Sequence, residues 1–191
     1  IVVLEAVSER GSAPTAVGKA LSLGANRAVR LVEPTLGTAD AHATGLALAT
    51  ALHHLKVDLV LCSDDADPEG LGDVPASIAH HMSALYLSRV VDLKWIADRG
   101  GDQGSDGGAS NERPIEATVS SGRWIRRLAV PLNAVVLVAD GPLPSPAPPA
   151  PSPPKKQAAV QVLSLADFDV DPAVVRRHDD LRGRVEPAPR P

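Results

Sequence analysis

Aromatic side chains are nearly absent: 191 residues include one phenylalanine, one tyrosine and two tryptophans. A surface that stacks the bases of single-stranded nucleic acid needs more than that. One cysteine, Cys62, excludes an internal disulfide framework and every multi-cysteine zinc or iron–sulfur site, so a reducing compartment is the default. Charge of one sign is also not in excess. With 19 basic and 23 acidic residues, a net charge of −4 gives no electrostatic reason to bind nucleic acid or an anionic membrane. The longest apolar runs are too short to cross a bilayer as helices and nothing resembles a signal peptide, so a soluble protein is expected. The chain opens at Ile1 inside an apolar run and not on a methionine, which points to a removed leader or to residues upstream.

What is present is an ordinary globular composition, 44% apolar and 22% charged, in a length that suits one domain with an appendage. Proline is the outlier. Eight of its 18 residues fall between Pro142 and Pro154, so the excess belongs to one segment. The division that follows is an α/β domain over 1–140, a Pro/Ala/Ser linker over 141–157, and a C-terminal arm over 158–191.

Within the domain, strand and helix patterns alternate. Ile1 to Val7 reads as a buried strand. A helix follows, opened by Ser12 and Pro14, with Val17, Ala20 and Leu21 on its inner face and Gly24 at its end. Arg27 to Val32 is a β-branched strand. The next helix, Ala39 to His54, carries Ala43, Leu46, Ala47 and Thr50 at helical spacing, small enough to pack flat on a sheet. Asp58 to Cys62 is continuously apolar after its first residue, which predicts a central strand with both faces covered. A third helix from Asp73, with Pro75 in its first turn, has Val74, Ile78, Met82 and Leu85 as its inner stripe. This alternation predicts a three-layer αβα fold around a mostly parallel sheet of the adenine-nucleotide-binding type. Ser88 to Ala97 then reads as a strand and 98–112 as a Gly/Asp/Ser-rich insert. Pro114–Val119 and Arg123–Val130 form a β-hairpin, and Asn133–Ala139 adds one more buried strand.

Ligands of open α/β sheets bind beyond the carboxyl ends of the strands. Here that end is the run Cys62-Ser-Asp-Asp-Ala-Asp-Pro-Glu-Gly-Leu-Gly-Asp-Val-Pro-Ala76, a glycine-containing loop entering a helix N-terminus whose free N–H groups can cradle a phosphate. Pro75 stands where the third glycine of a dinucleotide fingerprint would be, and no Gly-Lys-Ser/Thr follows. Dehydrogenase and P-loop readings drop out.

Four ordered stretches resemble the electron-transfer flavoprotein β subunit family. They are Ala20-Leu-Ser-Leu-Gly-Ala-Asn-Arg-Ala-Val-Arg-Leu31, the helix Asp40 to Ala49, the loop Asp58 to Ala76, and Val162-Leu-Ser-Leu-Ala-Asp-Phe-Asp-Val-Asp-Pro172. The resemblance implies a subunit that pairs with an α-type flavoprotein and supports flavin-mediated electron transfer as a scaffold, without bond-making chemistry of its own. It implies AMP, or FAD as in flavin-bifurcating members. Carried over, the cofactor-binding residues are Cys62, Ser63, Ala66, Asp67, Gly70, Leu71, Gly72, Asp73 and Val74, with the backbone of 70–73 at any phosphate and Cys62 and Ser63 beside the adenosine. It also implies that the arm, Val160 to Val175, wraps a partner, and that the protein works in the mitochondrial matrix or a bacterial cytoplasm.

The departures support a second reading. The family's first strand and long helix have no counterpart before Ile1, and five carboxylates, Asp64, Asp65, Asp67, Glu69 and Asp73, crowd the anion loop. Each carboxylate about 4 Å from a phosphate costs about 1 kcal/mol in water and about 4 at an effective dielectric near 20. A helix terminus offsets about 0.3–2 kcal/mol. The basic stretch that grips dehydrogenases in the family is replaced by the Pro-rich linker and Lys155-Lys156. On this reading the chain is a degenerate β-like copy without nucleotide, an accessory subunit of a larger respiratory or mitochondrial complex. A nucleotide sensor of related fold fits the alternation but leaves the arm unexplained.

Other residues read plainly. Cys62 is a small buried hydrophobe. His53-His54 and His80-His81 are helix neighbours about 100° apart that cannot chelate as pairs, and no metal site is expected. Trp95 and Trp124 are expected to pack under the sheet. Arg176, Arg177, Arg182 and Arg184 are expected in solvent.

Overall fold

Arg27–Val32 (β2) shows why the first half of the chain forms a sheet. Ala28 and Val29, neighbours whose side chains point to opposite faces, are both fully buried, as is Leu31. A strand with no solvent face needs cover on both sides and partners on both edges. The computed structural model describes residues 1–9, 16–63, 73–96, 115–139 and 160–175. Ser12 and Pro14, the acidic loop up to Gly72, the 98–112 insert, the Pro-rich linker and the tail arginines lie outside the described residues. The chain divides into two units, 1–55 with 144–191, and 56–143.

In the first unit, β2 is the middle of a three-stranded parallel sheet, flanked by Val2–Val7 (β1) and Val160–Leu163 (β8). The helix Ala16–Ser22 (α1) joins β1 to β2. Val17 is its fully buried anchor, and Gly24 at φ +107° takes the left-handed turn after it. Ala41–His54 (α2) starts where the Asp40 carboxylate accepts the Ala43 N–H at 2.8 Å, an N-cap that keeps an otherwise free donor satisfied. Ala43, Ala47 and Ala51, one helical turn apart, pack on Leu31 with Leu4 and Ala6 of β1. On the opposite face, Glu5 and Arg30 stand directly across the strands and form a half-buried ion pair at 3.0 Å.

The sequence assigns the apolar residues of the arm to a partner, and the chain itself covers part of them. β8 adds to the free edge of β2 in register, Ala28 to Leu31 against Val160 to Leu163. Leu165, fully buried in the short helical turn Leu165–Phe168, and Val175 complete the cluster around Leu31 and the α2 alanines. Phe168 lies 4.8 Å from the His54 ring at the end of α2. The physical reason is the open edge and small-residue groove of this unit, which the arm fits. Val160, Val162 and Val174 stay exposed.

The second unit holds a five-stranded sheet ordered β3-β7-β4-β5-β6, in which β3 is Leu59–Ser63, β4 Leu85–Trp95, β5 Ile115–Ser120, β6 Ile125–Val130 and β7 Ala134–Val138. The strand sandwiched on both edges and faces is β7, with Ala134, Val135 and Val136 buried to 1% exposure or less. β3, expected at the centre, is an edge strand among the described residues, with Leu61 58% exposed. A continuous apolar run is compatible with either place, because the apolar side chains do not say which edge is paired.

The third helix, Val74–Met82 (α3), ends before Leu85. Ser83 takes the left-handed conformation at φ 50°, the chain turns, and Leu85 becomes the first residue of β4 opposite Ala134. Only Val74, Ile78 and Met82 of the expected stripe are helical, with Ile78 at 3% exposure and Ala79 buried beside it. β4 pairs parallel with β7 and then antiparallel with β5. The register shifts around Arg89, at φ 59°, where a bulge re-aims the strand into the expected hairpin. Neither tryptophan packs under the sheet: Trp95 is 62% and Trp124 66% exposed. Both sit at element ends, Trp95 closing β4 and Trp124 in the hairpin turn, beyond the strip that β7 and α3 cover.

Across both units four of the six strand pairings among the described residues are parallel, and helices alternate with strands. This is the open, mostly parallel α/β fold of the three-layer class read from the alternation.

Candidate functional site

The carboxyl end of β3 is where the sequence places the ligand loop. β3 runs parallel to β7 with Ser63 opposite Val138, so Cys62, Ser63, Val138 and Ala139 all lie at one end of the sheet. α3 must begin at that same end. Its last turn delivers the chain to Leu85, which pairs with Ala134 at the amino end of β7, so its first turn points the other way. Ser63 and the Asp73–Val74 helix start are thereby brought to one crevice edge. Ala66, Asp67, Gly70, Leu71 and Gly72 lie outside the described residues.

Sequence reasoning missed Val138 and Ala139. The apolar run Asn133 to Ala139 marks a buried strand, but only the pairing shows that it neighbours β3 and ends beside Ser63. Asn133 supports this arrangement from the far end. Its positive φ of 67° lets its N–H donate to the Asp58 carbonyl at 2.6 Å, which fixes the start of β7 against the turn into β3.

The chemistry available is that of a binding edge. Cys62 is half-buried, and loss of water pushes its thiol above the ordinary value of 9.0, so the sulfur is protonated near neutral pH and is a poor nucleophile or metal ligand. Ser63 is exposed and offers a hydroxyl. The start of α3 offers N–H groups without intrahelical partners, less one, because Pro75 has none. Asp73 holds the N-cap place, but its φ of −89° and ψ of −6° are helical and its side chain accepts no capping bond. Its exposed carboxylate is left at the positive end of the helix dipole, where it competes with any incoming anion. The described groups, a hydroxyl and helix-start N–H donors, suit a hydroxyl-bearing anion, and Asp73 by its charge and Pro75 by its missing N–H oppose it.

The His80-His81 pair closes α3, at the opposite end of that helix from this edge, with the rings 5.2 Å apart and edge to face. His53 and His54 are exposed at the end of α2.

Comparison with known proteins agrees with the fold. The family model for the electron transfer flavoprotein domain matches residues 6–168. The chain is similar to the electron transfer flavoprotein subunit beta of Mycobacterium leprae, 29% identical over 177 residues, and to that of Mycobacterium tuberculosis strain H37Rv, 29% identical over 174 residues. Each alignment covers 90% of this chain and 59% of the relative, so the chain spans about three fifths of the length of the curated relatives it matches. With a match that runs from β1 into the arm, the chain belongs to the electron transfer flavoprotein domain family, and both of these relatives are β subunits.

Proposed function

We propose that this chain is an electron-transfer flavoprotein β-like subunit that pairs with an α-type flavoprotein and supports flavin-mediated electron transfer as a scaffold. The observation that carries the reading is the family match over 6–168, which includes both the β3–α3 crevice edge and the β8 arm. No helix among the described residues is long and apolar enough to cross a membrane, so nothing in this part of the chain anchors it in a bilayer as a helix. In this role the chain supplies shape and hydrogen-bond donors, and the α-type partner supplies the electron-carrying flavin.

The crevice edge would hold AMP, or FAD in a bifurcating arrangement. Ser63 would meet the ribose, and the α3 N–H groups from Val74 onward would meet a phosphate, with Cys62 as apolar wall. AMP bound there supplies no redox chemistry and acts as a structural ligand, whereas FAD would accept and return electrons.

Asp73 and Pro75 favour a second reading in which the site takes no nucleotide and the chain serves as a structural accessory subunit. Both residues weaken an anion site at the same helix start, one by charge and the other by a missing donor. The experiment is reconstitution. An α-type subunit depleted of its β partner is titrated with the chain while flavin retention and reduction rate are followed. A saturable rise in either supports the scaffold role, and no change at excess chain contradicts it.

A further inference from the structure

Among the described residues the sheet of the second unit ends at β6, and the residues of that edge differ from the rest of the chain. Five of its six residues, Ile125 to Ala129, are exposed and only Val130 is buried. Ile125 at 74% and Trp124 at 66% are the two most exposed large apolar side chains described in this unit, and they are adjacent. Around them stand Arg123, Arg126 and Arg127, all exposed, with no acidic residue between Arg123 and Val130. The chain as a whole carries a net −4, so this is a local reversal of sign.

Charges on an edge strand are a common guard against aggregation, and that accounts for the arginines alone. It does not account for an exposed tryptophan and isoleucine set among them. Tryptophan and arginine are the side chains that carry most binding energy at protein interfaces, and exposed apolar groups rimmed by charge mark such surfaces. A second copy of the same strand is a poor occupant. Two β6 strands paired antiparallel about Arg126 and Arg127 would set arginine against arginine, and like charges directly opposite destabilise a sheet. Nucleic acid is also a poor fit, since three cations on one short strand and the turn before it, in an acidic chain, give a small electrostatic footprint.

We propose that β6 is a docking edge for an extended acidic segment of another protein, which adds to the sheet beside β6. Strand alternation sets its pattern. Within the strand Ile125 and Arg127 share one face and Arg126 takes the other, with Arg123 and Trp124 in the turn just before it. An antiparallel guest therefore reads two acids opposite Arg127 and Arg126 and an apolar residue opposite Ile125, and where it continues past the turn it carries an apolar residue toward Trp124 and an acid toward Arg123. Main-chain hydrogen bonds to the open edge supply affinity and the alternating side chains supply the choice of partner. This surface is argued independently of the α-type partner and of the nucleotide site.

The test uses the whole chain and a labelled, end-blocked peptide with the core EEVVE, compared by fluorescence anisotropy with the core KKVVK, with oligo(dT) and with phosphatidylserine vesicles. The acidic peptide is expected to bind, and to shift amide resonances of residues 123–128 in NMR spectra. The double change Arg126→Glu and Arg127→Glu should weaken it at least tenfold and turn preference to KKVVK. Trp124→Ala should weaken it several-fold at unchanged circular dichroism, which keeps the test open if the double variant fails to fold. Equal binding of both peptides, resonance shifts confined to other strands, or stronger binding of oligo(dT) or vesicles overturns the proposal.

Discussion

Replacing Leu165 with alanine asks whether the arm belongs to its own chain. Leu165 is fully buried against Leu31, Ala43, Ala47, Ala51 and Val175, with Phe168 and Val170 at the margin. The change removes three carbon atoms. At about 0.8 kcal/mol for each buried methylene the transfer part is about 2.4 kcal/mol. Any residual cavity adds about 24 cal/mol per Å³, so the total falls between about 2.5 and 4 kcal/mol. Against a typical domain stability of about 5–15 kcal/mol this is a large fraction. Urea denaturation of the isolated chain should show a lower midpoint, and the shift should not depend on protein concentration. Val174→Ala, next to the same cluster but 57% exposed, should change stability by less than about 0.5 kcal/mol. If Leu165→Ala also costs under about 1 kcal/mol in the isolated chain, the arm does not pack as described.

Three further outcomes follow from the geometry. Asp73→Ser removes the carboxylate at the start of α3 and provides a capping hydroxyl, so AMP affinity measured by calorimetry should rise about tenfold, about 1.4 kcal/mol, and an unchanged affinity would place the phosphate elsewhere. Burial raises the folded-state pKa of Cys62, so its iodoacetamide reactivity at pH 8 should be well below that of the unfolded chain. The same shift contributes stability that is complete below the unfolded value near 9 and is lost as pH rises through the folded value, and fast alkylation at pH 8 would contradict both. Glu5→Gln breaks the half-buried ion pair with Arg30 and should cost about 1 kcal/mol by thermal denaturation, with no cost expected if the pair is merely a surface contact.

The elements were legible where a local signal and the tertiary demand coincide. The β2 span Arg27–Val32 is read directly from its β-branched residues, and α2 and the β5–β6 hairpin fall within a residue or two of their patterns. Pairing is where local reading stops. Leu59–Ser63 and Ala134–Val138 are both five-residue, mainly apolar strands, yet among the described residues one is an edge and the other the centre, a difference made by the partners each strand finds. Leu85 keeps helical spacing with Met82, but Ser83 breaks the helix and delivers Leu85 to β4. The arm shows the same limit, because apolar residues announce burial without saying against what. At the candidate site, the loop pattern and the resemblance single out Cys62, Ser63, Asp73 and Val74, whereas the nearness of Val138 and Ala139 to Ser63 needed the β3–β7 register. The tryptophans were misplaced because aromatic character favours burial, whereas the hairpin turn before β6 holds Trp124 66% exposed.

The most direct measurement is native mass spectrometry of this chain co-expressed with an α-type flavoprotein subunit from the same organism. The account predicts a heterodimer of one copy each, flavin retained, that survives Leu31-facing arm burial in the β-like chain. Recovery of the two polypeptides only as separate species, with the flavoprotein keeping its flavin alone, would contradict it.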